Sequence, residues 1–166
     1  MCSSDLNEIT VTNYVDLVAP RIHPRVTPGN TGVGIAWAAA PGRSQAVDLD
    51  LYVWIPRDNA ELYFAMPRSA HGKYFRDIRQ SIPASGENWR ALWEFVELEG
   101  DQLPPEIWIN LYSGEGPVQG EVRVQHRGKE HRIAFAFPRI SGNSGANRGT
   151  RASSPNWLRI DLTSLQ

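Results

Sequence analysis

The chain has 166 residues and a net charge of −1, with 41% hydrophobic and 21% charged residues. This length suits one domain that buries a core without disulfides or metals, and the absence of a basic excess argues against a nucleic-acid partner. The longest apolar stretch falls far short of the roughly 20 residues of a membrane-spanning helix, so we expect no membrane span in this fragment.

The first six residues contain the only cysteine, Cys2, so the sequence offers no internal disulfide and no cysteine-based zinc site. The letters CSSDL are also what a common sequencing-adapter sequence encodes in one reading frame. We therefore expect residues 1–6 to be a disordered assembly scar, and residues 7–166 to be a single domain. On this interpretation the native N-terminus is missing, and the alternative is a genuine, disordered N-terminus. We also expect the chain to be part of a larger protein.

Apolar residues recur at a period of two along most of the chain, between turn residues, which is typical of β-strands. In chain order the predicted strands are EITVTNYV, VGIAWA, VDLDLYVWI, AELYFAM, GKYFRDIR, ALWEFVEL, EIWINLY, GEVRVQH, HRIAFAF and WLRIDL. The sixth can also begin as a helix, but its β-branched and aromatic residues favour a strand. The pattern predicts an all-β fold: a single antiparallel β-sandwich, jelly-roll or immunoglobulin-like, with about nine or ten strands.

The apolar residues of four predicted strands are expected to form one core between two sheets. They are Leu49, Leu51, Val53, Ile55, Ile107, Ile109, Leu111, Val122, Val124, Ile133, Phe135 and Phe137. Residues 141–156 are rich in glycine and serine and are expected to be a loop inside the domain.

The eighth and ninth predicted strands form a hairpin whose register can be predicted. If residues 127–130 are a four-residue loop, His126 faces His131 and Val124 faces Ile133, which places the apolar residues on one face. The two histidines can hold a metal together, but two ligands rarely suffice for zinc. A solvated hairpin end is therefore the preferred interpretation.

Two carboxylates stand in alternate positions on the face of VDLDLYVWI that is opposite its apolar residues. Strand geometry places the Cβ atoms of Asp48 and Asp50 about 6–7 Å apart. Such a pair can bind calcium, which takes six to eight oxygens, if Glu94, Asp58, Asp77 or nearby carbonyls complete the shell. It can also perform acid–base catalysis, as paired carboxylates do in glycosidases. The interpretation favoured by the sequence is that both residues keep an outer face solvated or anchor a loop.

Aromatic residues share that outward face. Tyr52 and Trp54 alternate with the apolar residues of their strand, as do Trp108, Asn110 and Tyr112 on EIWINLY. If the two strands share a sheet, four rings line one surface, which suits the binding of a polysaccharide or a protein. The alternative is that the long loops cover this face, because large aromatic residues are usually buried.

The order of several motifs resembles bacterial β-sandwich modules of the pre-peptidase C-terminal type. These motifs are IAWAAAPGRSQAVDLDLYVWIP, GKYFRDI and EIWINLYSGEGPVQGEVRV, within about residues 33–137. The resemblance implies a secreted, periplasmic or cell-surface accessory domain, some relatives of which bind calcium, polysaccharide or protein surfaces. By this likeness Asp48 and Asp50 match the family's acidic strand, and Tyr112 matches its later tyrosine.

A second resemblance is to calcium-binding tellurium-resistance (TerD-like) stress proteins. It rests on AWAAAPGRSQAVDLD and FVELEGDQLPPEIWINLYSG. This family carries acidic loops where the present chain has GKYFRDIRQSIPASGENW. The resemblance implies a cytoplasmic, calcium-linked protein.

Three functions stay open at this point. The preferred one is a non-enzymatic, extracytoplasmic binding or accessory module for carbohydrate or protein surfaces. The alternative is a calcium-binding TerD-like stress protein, and the third is a small hydrolase. Calcium is the one cofactor that the residues suggest, at Asp48 and Asp50.

Overall fold

The computed structural model describes residues 26–39, 47–76 and 92–166. Within them the chain forms nine strands: β1 Thr31–Ala39, β2 Asp48–Ile55, β3 Ala60–Leu62, β4 Gly72–Arg76, β5 Leu92–Leu98, β6 Glu106–Ser113, β7 Val118–His126, β8 Lys129–Phe137 and β9 Trp157–Asp161. Short 3₁₀ segments cover Pro56–Asp58, Arg148–Ser153 and Thr163–Leu165. No helix in these ranges is long and apolar enough to cross a membrane.

The strands form two antiparallel sheets. The larger sheet has the order β4-β5-β1-β7-β8, and the smaller has the order β3-β2-β6-β9. The predicted all-β sandwich is therefore confirmed, and the segment with a possible helical start contains a strand, Leu92–Leu98. Its aromatic and β-branched side chains fit a pleated surface better than a helix.

The core lies between the sheets, where the alternation of apolar residues placed it. The predicted apolar residues of β2, β6 and β7 are at most 4% exposed, as are Val33, Ile35 and Trp37 of β1. On β8, Phe135 and Phe137 are buried, and Ile133 is partly buried against the same core. The predicted core is thus confirmed.

The predicted register of the β7–β8 hairpin is wrong by two residues. Val124 pairs with His131, and His126 pairs with Lys129. The connection is a two-residue turn in which Arg127 and Gly128 have φ values of 50° and 74°. Two positive φ values favour a tight turn that matches strand twist. A shift of two keeps every side chain on its predicted face, which is why the predicted core survives this error.

Some predictions concern residues that the structure does not describe. They are the scar at residues 1–6, the first predicted strand at residues 8–15, and Asp77 as a calcium ligand. These stay predictions.

Candidate functional site

The outer face of the smaller sheet is covered by residues 141–156, which we call the cover loop. Beneath it Tyr52, Trp108 and Trp157 form a second hydrophobic cluster, separate from the core and at most 8% exposed. The indole N–H of Trp157 donates to the Ala146 carbonyl oxygen at 2.9 Å. Of the four predicted rings, those of Tyr52 and Trp108 are thus buried beneath the loop, as the alternative of a covered face predicted, whereas Trp54 is 39% exposed.

Two arginines of the cover loop bind one glutamate of β3. Arg148 donates to Glu61 from Nε at 3.1 Å, and Arg151 donates from Nη1 at 2.6 Å. The Arg148 guanidinium also lies 4.1 Å from the ring centre of Tyr63, and that of Arg151 lies 4.8 Å from the ring of Trp108. Charge-assisted hydrogen bonds and cation–π contacts thus hold the loop on the sheet.

Asp48, Asp50 and Glu94 bring three carboxylates together. Their exposed fractions are 5%, 2% and 0%. One oxygen of each carboxylate lies within 4.8 Å of one oxygen of both others. The alternation correctly placed the two aspartates opposite the core, but both are buried, so the expectation that they keep an outer face solvated is wrong. That they anchor a loop stays a prediction.

Glu94 belongs to β5 of the larger sheet, yet it hydrogen-bonds to a strand of the smaller one. β3 pairs with β2 only at Val53–Ile55, so the backbone N–H of Leu51 lies beyond the end of β3. Glu94 Oε2 accepts that N–H at 2.7 Å and also accepts the Tyr74 hydroxyl. The carboxylate thus joins β5 of the larger sheet to β2 of the smaller one, close to the carboxylates of Asp48 and Asp50.

Asn110 lies directly opposite Asp50 across the β2–β6 pair, on the same outer face. Its side chain is fully buried, and its Nδ2 donates to Asn143 Oδ1 and to the Asn156 carbonyl oxygen, each at 3.0 Å. Its Oδ1 is buried without a hydrogen-bond partner in the described part of the chain. Cβ atoms of directly opposed residues are about 4.5–5.5 Å apart, so this amide oxygen can join the carboxylates of the cluster.

A register shift lies beside the cluster. Asp48 pairs with Ser113 while Leu49 pairs with Leu111, which leaves Tyr112 as an extra residue on β6. Such bulges bend a strand and redirect a neighbouring side chain.

The pKa of Tyr52 lies above its usual range. Burial is the largest cause, and the negative charge of the Asp50 carboxylate is the next, so the Tyr52 hydroxyl stays protonated.

The dimensions and chemistry of the cluster fit calcium. Calcium–oxygen distances are about 2.3–2.6 Å, so two ligand oxygens of one ion are at most about 4.6–5.2 Å apart. The 4.8 Å limit on the three carboxylates lies within that range. Carboxylate and amide oxygens are also the ligands that this ion prefers. Asp48, Asp50 and Glu94, with Asn110 beside them, are the described residues suited to hold the ion.

Asp58, the other predicted ligand that the structure describes, lies at the far end of β2. Its Oδ2 accepts the backbone N–H of His71 at 2.8 Å, and its Oδ1 contacts the ring of the same residue. It is therefore not part of the cluster. The His126–His131 metal pair is not formed either, because each residue faces a different partner across the hairpin. The preferred interpretation, a solvated hairpin end, is wrong for His126, which is buried.

We expect Asp58 to make stability depend on acid pH. The Ser69 side chain and His71 lower the pKa of Asp58 from 3.8 to about 2. A depressed folded-state pKa contributes stability above the unfolded-state pKa, and this contribution disappears as the pH falls through the folded-state value. The gap in melting temperature between wild type and Asp58→Asn should thus be constant above about pH 5 and close between about pH 4 and pH 2. A gap that stays constant down to the lowest pH would contradict this.

Comparisons of this chain with family models, with curated proteins and with solved structures found no match. The resemblances to pre-peptidase C-terminal modules and to TerD-like proteins therefore stay predictions.

Proposed function

We propose that this chain is a non-catalytic, calcium-binding β-sandwich module in which Asp48, Asp50 and Glu94 hold the ion. The observation that carries the proposal is the convergence of these three buried carboxylates within 4.8 Å. At this separation a pair of like charges costs about 3–4 kcal/mol at an effective dielectric constant of about 20. A divalent cation between them offsets this repulsion, and the carboxylates supply oxygens in place of its hydration shell.

The position of the cluster favours a structural role for the ion. Asp48 and Asp50 belong to β2 of the smaller sheet, whereas Glu94 belongs to β5 of the larger one. An ion held by all three connects β2 and β5, which belong to different sheets and are not paired by backbone hydrogen bonds. Calcium would therefore stabilise the sandwich and fix the surfaces that it presents.

The burial of the carboxylates argues against the hydrolase alternative. A general acid or base must lie within hydrogen-bond distance of a substrate atom. The three carboxylate residues are at most 5% exposed, and the cover loop packs over the neighbouring outer face. A substrate would therefore have little access to them. The accessory role outside the cytoplasm rests on the resemblance to pre-peptidase C-terminal modules.

Calcium affinity discriminates between an extracytoplasmic accessory module and a cytoplasmic TerD-like stress protein. Extracellular modules bind calcium with Kd values of about 10⁻⁴–10⁻³ M, whereas cytosolic sensors have Kd values of about 10⁻⁷–10⁻⁵ M. We expect the weaker range, as the proposal of an extracytoplasmic module requires. A Kd below about 10⁻⁶ M would favour the TerD-like alternative instead.

The direct test of the proposal is thermal unfolding with calcium and with a chelator. At a hundredfold excess of calcium over its Kd, the wild type should gain about 2.7 kcal/mol of unfolding free energy. The double variant Asp48→Asn/Asp50→Asn should lose this gain, since amides carry no charge to hold the ion. Glu130→Gln, a change at an exposed residue of β8, should keep it. If calcium leaves the wild-type melting temperature unchanged, or if the double variant keeps the rise, the proposal is wrong.

A further inference from the structure

A pocket lies at the end of the sandwich away from the carboxylate cluster. It forms where the C-terminal end of β2, the β5–β6 connection and the β7–β8 turn meet, and its volume is about 290 Å³. This is near the lower end of the range for small-molecule sites. β2 runs about 23 Å from Asp48 to the pocket residue Ile55, at about 3.3 Å per residue, so the pocket and the cluster are separate sites.

Trp54 gives the pocket an exposed aromatic side chain. Trp54 is 39% exposed, whereas the other seven residues of β2 are buried. The other large aromatic residues on the same face, Tyr52 and Trp108, are buried under the cover loop. An exposed indole beside a concave surface has an apolar face and an N–H donor to offer a ligand.

His126 adds a neutral imidazole to the wall of the same pocket. The Thr31 hydroxyl donates to the Gly100 carbonyl oxygen at 3.0 Å, and its oxygen lies 3.3 Å from His126 Nδ1. Because the hydroxyl proton is already used, Nδ1 must carry the proton and donate to Thr31. Nε2 is then an acceptor, buried and without a hydrogen-bond partner in the described ranges. Burial, and next the charge of Arg127, lowers the pKa of His126, which keeps the ring neutral.

The charges around the pocket favour a neutral ligand. Two basic and two acidic residues line it: Arg57, Arg127, Glu99 and Asp101. Arg57 donates to the Glu99 carbonyl oxygen at 2.7 Å, and Arg127 donates to Asp101 at 3.3 Å. Both cations are thus already engaged, and the four charges cancel.

We propose that this pocket binds a neutral sugar unit, with the pyranose ring on Trp54 and hydroxyl groups that hydrogen-bond to polar residues at the rim of the pocket. Gln102 and Gln166 also line the pocket, and their amides can bind further hydroxyl groups. A pyranose has an apolar face for the indole and a rim of hydroxyl groups for the polar residues. This site is independent of the calcium proposal, and either can fail without the other.

The test is ligand-observed NMR, which detects weak binding. The probes are glucose, galactose, mannose and N-acetylglucosamine, with glycerol as a polyol without a ring and acetate as an anion. At least one sugar should show saturation transfer from the wild type. Trp54→Ala should weaken binding of that sugar at least about tenfold. Phe75→Ala, at a residue that is 40% exposed but lies on the larger sheet, is the matched control and should bind as the wild type does.

Three outcomes would overturn the proposal. In the first, none of the four sugars gives saturation transfer. In the second, Trp54→Ala, with an unchanged melting temperature, binds as tightly as Phe75→Ala. In the third, acetate or glycerol binds as well as the sugars, which would indicate an adventitious additive only.

Discussion

Replacing Glu94 with alanine is expected to lower the unfolding free energy of the calcium-saturated protein by about 4–9 kcal/mol. Two effects act in the same direction. The Leu51 N–H and the Tyr74 hydroxyl lose a buried acceptor, at about 1–3 kcal/mol each. The calcium site also loses one of its three carboxylates, and with it most of the ligand-linked stabilisation of about 2.7 kcal/mol at a hundredfold excess. Urea unfolding in excess calcium measures the sum.

Glu94→Gln separates the two effects. The amide oxygen can still accept the Leu51 N–H and the Tyr74 hydroxyl, but the charge that holds the ion is lost. This variant should therefore lose about 2–3 kcal/mol, all of it dependent on calcium. If the alanine and glutamine variants are equally stable, the hydrogen bonds of Glu94 carry no weight. If both lie within about 1 kcal/mol of the wild type, Glu94 plays neither role.

Changing Glu61 to glutamine should release the cover loop. Glu61 is the shared partner of Arg148 and Arg151, and its side chain is only 11% exposed. Loss of its charge weakens both ion pairs and leaves two guanidiniums over the aromatic cluster. Because the arginines are partly exposed, the loss of unfolding free energy should be smaller than for a fully buried ion pair. We expect a loss of about 2–3 kcal/mol. Trypsin cleavage after Arg148 and Arg151, followed by mass spectrometry, should become at least tenfold faster, since 1.4 kcal/mol corresponds to a factor of ten.

Glu115→Gln is the matched control for the cover loop. Glu115 pairs with Arg139 at 3.1 Å, but these side chains are 38% and 72% exposed. Exposed pairs contribute about 0–1 kcal/mol, so this variant should keep the wild-type cleavage rate at Arg148 and Arg151. Equal cleavage of both variants would mean that Glu61 does not hold the loop.

Within the described part of the chain, the alternation of apolar residues was enough to predict the strands, their inward faces and the shared core. The register of the β7–β8 hairpin could not be predicted from this alternation. RGKE is compatible with a four-residue loop or a two-residue turn, and both keep Val122 and Val124 facing inward. The positive φ values of Arg127 and Gly128 decide between the two. A pattern of period two cannot detect a shift of two residues.

The burial of Asp48 and Asp50 could not be predicted from local patterning. Alternation places a residue on a face of a sheet but does not reveal what covers that face. The cover loop, which is rich in glycine and serine, packs over the neighbouring aromatic residues of this face through Arg148 and Arg151. Glu94 was one of several candidate ligands, and only the arrangement of β5 against β2 selects it over Asp58. The pocket beside Trp54 had no local signal, since its walls come from segments that are distant in sequence.

Calorimetric titration of the chelator-treated chain with calcium is the most direct test of the central claim. We predict that the wild type binds one calcium ion per chain, and that neither Asp50→Asn nor Glu94→Gln gives a measurable isotherm under the same conditions. Circular dichroism spectra that match the wild type would show that both variants are folded. A wild type that binds no calcium, or variants that bind it with unchanged stoichiometry and affinity, would contradict the assignment of the Asp48–Asp50–Glu94 cluster as a calcium site.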